Sequence, residues 1–187
     1  NALPITIRSR CQQLRFTTPA RTQVEAAVIL KRELPPADAR LLALVTEGRI
    51  GEALTLDVAA LREWQRDCLA IVAPATLRSI TAILTLAESL AKSDRGIETL
   101  TWLSRWVRDL LFVHVGGDQD QILHLEQIDQ LQEYARTTDL TLLLDLVKEI
   151  ERTQQNATRN LNLHMALESC LLKLRDALGL APVGTPA

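Results

Sequence analysis

Aromatic side chains make up only 3% of the 187 residues, and glycine and proline number 7 each. Strand-rich folds draw on aromatic and β-branched residues and on frequent Gly/Pro turns, so an all-β architecture is excluded. Charge of one sign is lacking too. With 21 basic against 23 acidic residues the net charge is −2, which provides no overall field for nucleic acid or an anionic membrane. No apolar run approaches the roughly 18 residues that a membrane span requires. Cysteine is limited to Cys11, Cys68 and Cys170, far apart and without a CxxC pair. That pattern builds neither a disulfide scaffold nor a zinc site, and is expected of reduced thiols packed as small core residues in a cytoplasmic protein. The opening Asn1-Ala2-Leu3-Pro4 has no basic stretch followed by an apolar one, so no signal peptide is expected.

Familiar catalytic patterns are missing as well. No window supplies the GxxxxGK[ST] that cradles a nucleotide phosphate, no GxSxG elbow is present, and His114, His124 and His164 form no HExxH pair. No metal, cofactor or catalytic group acting within the chain itself is expected. His164 and Glu168, four residues apart, are expected to pair on the surface of a helix.

Leucine and alanine are what the chain has in abundance, at 35 and 22 positions. Straight-chain helix formers in such number predict an all-α fold. Charge is spread unevenly. Residues 1–17 carry Arg8, Arg10 and Arg15 with no acid, while the remainder is net acidic. In this opening stretch Leu14 and Phe16 alternate with polar residues as a short strand would. A strand without a partner strand cannot satisfy its backbone groups, so residues 1–17 are expected to be the end of a domain that lies mostly upstream.

Residues 18–60 read as a three-helix module. One helix over 22–32 stops before Leu34-Pro35-Pro36, a second runs from Pro36 to a C-terminal cap at Gly48, and a third covers 50–60. Residues 61–180 read as a second helical domain of five or six helices. Its apolar stripes are Ile80, Ile83, Leu84, Ala87 and Ala91; Leu100, Leu103, Val107, Leu110 and Leu111; Leu140, Leu143, Leu144 and Val147; and Leu167, Leu171, Leu174 and Leu178. Trp102 and Trp106 are expected in its core. The Pro- and Gly-bearing tail 181–187 is expected to be disordered.

Three stretches carry a resemblance. Pro4-Ile5-Thr6-Ile7-Arg8-Ser9-Arg10-Cys11 resembles the Ser-Arg-Cys segment that closes the nucleotide-binding core of clamp-loader AAA+ subunits. Gly48-Arg49-Ile50-Gly51-Glu52-Ala53-Leu54 resembles the lid motif of that family, with Gly51 where motor subunits carry a phosphate-sensing arginine. Trp102-Leu103-Ser104-Arg105-Trp106-Val107-Arg108-Asp109-Leu110-Leu111 and Asn160-Leu161-Asn162-Leu163-His164-Met165-Ala166-Leu167-Glu168 look like helices of the family's collar domain. Gly51 in place of arginine inclines the resemblance toward the delta-prime type of DNA polymerase III subunit.

This resemblance implies a remnant of the AAA+ core (1–17), a lid (18–60) and a collar (61–180). It implies a subunit that is non-catalytic by itself, within the DNA-directed DNA polymerase III assembly that replicates DNA. The collar would join the ring. Arg10, flanked by Ser9 and Cys11, would serve in trans at the ATP site of a neighbouring subunit. The implied partners are the gamma/tau motor and delta subunits, with the sliding clamp and primed DNA reached through the complex and no membrane. Two alternatives stay open at this stage: a gamma/tau motor fragment, and a helical protein-interaction scaffold unrelated to ATP. Gly48 and Gly51 also suit an ordinary helix–helix turn.

Overall fold

The computed structural model describes residues 17–93, 95–156 and 162–180. Among them the chain is helical, with no strand. The strand-like reading of residues 1–17 therefore falls almost wholly outside the described residues. The Cα packing divides the chain into two compact units, with the break between Val58 and Ala59.

The first unit holds α1 (Arg21–Arg32), α2 (Pro36–Thr46) and α3 (Ile50–Thr55). Helix α1 starts where the Gln23 side chain accepts the Ala20 N–H at 2.9 Å, which satisfies a donor outside the intrahelical ladder. Pro36 occupies the first turn of α2, where its fixed φ and missing N–H cost nothing. Val24 and Val28 of α1 pack with Ala39, Leu42 and Ala43 of α2 and Ala53 of α3, all nearly or fully shut off from solvent.

The third helix is shorter than expected, ending at Thr55 rather than near 60. Its end is set by Arg32, whose Nη1 donates to the carbonyls of Ala53 at 2.9 Å and Leu56 at 2.8 Å. Those carbonyls would otherwise lack a partner at the helix terminus, and a guanidinium suits the negative end of the dipole. Leu56 is then extended, and the chain re-enters helix at Val58.

The second unit contains α4 (Val58–Ile71), the one-turn α5 (Pro74–Leu77), α6 (Ile80–Lys92), α7 (Gly96–His114), α8 (Ile128–Thr137), α9 (Leu140–Asn156) and α10 (Leu163–Ala177). Two 3-10 turns, Gln119–Gln121 and Leu125–Gln127, lie between α7 and α8. Helix α10 packs between α6 and α9, and α7 lies against α8 and α9. Polar caps fix the ends. The Ser79 side chain accepts from the Ala82 N–H at 3.2 Å, Asp139 Oδ1 accepts from Thr141 and Leu142, and Asn162 Oδ1 accepts from Met165 at 3.3 Å.

The core is built on Trp106, which is fully buried and meets Tyr134 edge to face at 5.7 Å. Around it lie Leu100, Leu103 and Leu110 of α7, Leu143, Leu146 and Ile150 of α9, and Leu167, Leu171 and Leu174 of α10. The Tyr134 hydroxyl donates to the Val72 carbonyl at 2.7 Å across a sequence separation of 62. That bond satisfies a buried carbonyl in the bend between α4 and α5.

Two of the expected stripes hold only in part: Ile83, Ala87 and Ala91 on α6 and Leu143 and Val147 on α9 are buried in or packed against the core, and the other members are not. On α9 Leu140 and Leu144 are exposed, while Leu146 and Ile150 join Leu143 in the core. On α6 Ile83 and Ala87 face the core while Ile80 and Leu84 lie at the surface. The α9 error has a physical source: Leu142-Leu143-Leu144 followed by Leu146 offers apolar residues in every direction around the helix, so spacing alone cannot choose the buried side.

Two stability consequences are open to measurement. Replacing Leu171 by Ala should cost about 2–5 kcal/mol in chemical denaturation, the range for truncating a fully enclosed leucine. Arg32→Met should destabilise the first unit by about 2 kcal/mol, since hydrogen bonds from a charged donor contribute roughly 1.5–3 kcal/mol each and this group is partly exposed. A change below about 0.5 kcal/mol would show that Arg32 does not hold the end of α3.

Candidate functional site

Ser9, Arg10 and Cys11 lie outside the described residues. Gly48 and Gly51 are described, and they differ in kind. Gly48 has φ +89°, and a Cβ there would run into the Thr18 methyl and come within 3.1 Å of the Pro19 carbonyl oxygen. Both the left-handed backbone and the close approach of residues 18–19 require glycine at this turn. Gly51 sits inside α3 at ordinary φ, with open space around its Cα. Neither local packing nor backbone geometry demands glycine at position 51.

Beside them, Arg49 spans the turn. Its Nε donates to the Thr46 carbonyl at 3.0 Å and lies 3.0 Å from Glu52 Oε2. Nε thus links the end of α2 to the start of α3, and Glu52 supplies a neutralising charge.

In the second unit the helix α7 carries the Trp-x-x-x-Trp-x-x-Asp pattern inward. Trp102 and Trp106 are buried, as expected of core residues. Asp109 is fully buried among apolar neighbours, an arrangement not anticipated from spacing. Its Oδ2 accepts from the backbone N–H of His124 at 2.8 Å and from His124 Nδ1 at 2.8 Å. A carboxylate oxygen only accepts, so Nδ1 bears the hydrogen in this bond. The imidazole stands edge-on to Trp102 at 5.2 Å. The available signal was an acid embedded in the stripe Val107-Arg108-Asp109-Leu110-Leu111. A carboxylate on the apolar face of a helix must find a donor somewhere in the fold.

His164 Nε2 and Glu168 Oε1 pair at 3.1 Å on α10, the surface contact expected at that spacing. Between α9 and α10 runs a groove of about 380 Å³. Its cations are Lys148, Arg152 and Lys173, and its acids are Asp145, Glu149 and Asp176. With equal numbers of each sign it does not select an anion. Lys173 bonds Glu149 at 3.0 Å and holds its carboxyl below the ordinary value, aided by Ser169. Larger apolar side chains remain at the surface of this unit, among them Leu140, Leu142 and Leu144 on α9, Ile80 and Leu84 on α6, and Val115 after α7.

The thiols follow their burial. Enclosure, the dominant influence, pushes Cys68 up to about 12 and Cys170 up to about 11. A thiol held protonated is a poor nucleophile. Among the described residues no cluster of three His, Cys, Asp or Glu side chains could hold a metal ion, and no helix is long and apolar enough to cross a membrane.

With this geometry in hand, comparison with known families is decisive. The family described as DNA polymerase III, delta subunit, C terminal, matches residues 65–176, more than half of the chain and nearly all of the second unit. The chain belongs to this family. The matched bundle, built on Trp106, is a DNA polymerase III clamp-loader subunit domain. The match begins inside α4 and ends within α10, so it takes in the Asp109–His124 pair and the groove between α9 and α10. No curated protein and no solved structure matches the chain.

Two measurements test this chemistry. In a Cys11→Ser chain, a thiol-reactive dye at pH 8 should label neither Cys68 nor Cys170 until denaturant is added. Fast labelling of the folded chain would contradict their burial. Glu149, with its pKa lowered by Lys173, contributes stability that is present above the unfolded carboxylate value of roughly 4.3 and lost as pH falls through the lower native value. Lys173→Met should move the Glu149 carboxyl titration, followed by NMR, back upward.

Proposed function

We propose that this chain is the C-terminal part of a delta-prime-type clamp-loader subunit, non-catalytic by itself, whose helical domain assembles into the loader ring. The observation that carries the clamp-loader part of this reading is the family match over residues 65–176. The lid turn supports the delta-prime type. Position 51 has a glycine that neither packing nor backbone requires, and the nearby Arg49 is paired through Nε with Glu52. In this reading residues 1–17 end the AAA+ core and residues 18–60 form the lid.

Residues 61–180 form the collar, and the leucines exposed on α9 supply apolar area for a subunit boundary. Each leucine fully withdrawn from water contributes roughly 1.5–3 kcal/mol. Arg10 acts in trans: a guanidinium is permanently charged, forks onto phosphate oxygens, and offsets charge on the departing γ-phosphoryl of the neighbouring motor subunit. Ser9 and Cys11 frame it. The gamma/tau motor subunits and delta are direct partners, while the sliding clamp and primed DNA are met through the complex, in the cytoplasm.

The family's own description favours a second reading, in which the chain comes from a delta-type subunit. Reconstitution separates the two. The full-length protein carrying this chain should co-elute with motor subunits and delta together; if it instead displaces delta from the ring, the delta-type reading holds. Leu140→Glu with Leu144→Glu should reduce co-elution at least tenfold while leaving the helical circular dichroism intact. Arg10→Ala should leave the ring assembled and remove the share of DNA-dependent ATP hydrolysis due to the one site it serves. An arginine of this kind is worth roughly 10³-fold or more at its site. Unchanged hydrolysis in reconstituted rings would take Arg10 out of the mechanism.

A further inference from the structure

The connection between α7 and α8, residues 115–127, is anchored differently from the helices it joins. Among its described side chains only Ile122 and His124 are buried. It leaves α7 through Gly116, at φ +72° with open space around it, and Gly117, which lies against Phe112. Glu126 reaches Arg62 at 3.5 Å in an exposed ion pair, a contact of little energetic weight. The buried anchor is His124, seated on Asp109 Oδ2 through both its backbone N–H and Nδ1 and standing against the Trp102 ring.

This socket is incompletely matched. Asp109 Oδ1, His124 Nε2 and Trp102 Nε1 are all shut off from solvent and have no hydrogen-bond partner among the described residues. A polar group enclosed without a partner favours any state that hydrates it, and here three such groups belong to the residues of one latch. Elsewhere in this unit such groups stand singly among the described residues, Trp106 Nε1 on α7 and Arg175 Nη1 on α10, and the interior between α7, α9 and α10 is filled mainly by leucine. A segment with few buried contacts, closing over unpaired polar atoms, opens at lower cost than the body it covers.

We propose that residues 115–127 form a strap that opens as a unit, turning about Gly116 and withdrawing Ile122 and His124 while the helices stay folded. The open form presents the Asp109 carboxylate and the edge of Trp102 to solvent. This device does not depend on the delta-prime reading.

The His124 amide reports on it, since its bond crosses to Asp109. Residue-resolved hydrogen exchange on the whole chain should find this amide exchanging at least tenfold faster than those of Val107 and Leu171. Its rate should be nearly independent of low guanidinium concentrations, because little surface is exposed on opening. Leu171→Ala weakens the bundle in the closed and open forms alike. It should therefore accelerate exchange of the α7 and α10 core amides by more than tenfold and leave the His124 rate unchanged. If His124 exchanges with the same rate and guanidinium dependence as Leu171, or speeds up by the same factor in Leu171→Ala, the strap does not open separately and the proposal is overturned. The guanidinium series needs no variant, so the test stands even if Leu171→Ala folds poorly.

Discussion

The burial of α10 between α6 and α9 is the constraint on which the second unit rests. Leu167, Leu171, Leu174 and Leu178 repeat at intervals of four, three and four residues, and all four are enclosed. Because they fall on one line along the helix, α10 can meet two neighbours at once, with Trp106 and Tyr134 completing the interior from α7 and α8. With few aromatics available, one tryptophan placed centrally does what several phenylalanines would do elsewhere, and leucine fills the remaining volume. Leu167, Leu171 and Leu174 lie within the matched family region and Leu178 just beyond it, so the delta C-terminal domain is organised around this helix.

Much of this could be read from residue order, and the places where it could not have physical causes. The α10 stripe was legible because, apart from Leu172, no other leucine lies between Leu167 and Leu178 to compete with it. The α9 stripe was legible only at Leu143 and Val147, because consecutive leucines leave the phase undetermined until α7 and α10 are in place. The third helix of the first unit was drawn too long because its stop is an arginine 21 residues upstream of the first carbonyl it caps. Long-range capping of this kind leaves no local trace. The turn at Gly48 was legible from a glycine closing a helix, although the reason for it, the approach of Thr18 and Pro19, belongs to the tertiary fold.

The candidate site divides along the same line. Ser9, Arg10 and Cys11 rest on resemblance alone and lie outside the described residues. Gly51 takes its meaning from a resemblance, and the structure adds that nothing else there calls for glycine. Asp109 went unremarked among quoted motif residues, yet it makes the one buried acid–imidazole contact among the described residues. Pairing Asp109 with His124 requires knowing how the chain turns back after α7, and two 3-10 turns and a glycine pair carry no periodic signal to say so. The family match in turn identified the domain without distinguishing between types of loader subunit, since it covers the bundle and not the first unit, where those types are expected to differ.

Asp139 joins two tasks in one residue. Its side chain closes the beginning of α9 through Thr141 and Leu142, and its backbone N–H donates to the Ala177 carbonyl at 2.8 Å at the end of α10. Thr137 adds a bond to the Leu178 carbonyl, and Gly179 passes close to the Thr137 carbonyl. The α8–α9 corner is therefore a seam through which distant parts of the chain are sewn together. Lengthening it by even one amino acid would separate the Asp139 N–H from the Ala177 carbonyl or the Thr137 hydroxyl from the Leu178 carbonyl, so insertions and tags belong elsewhere on this domain.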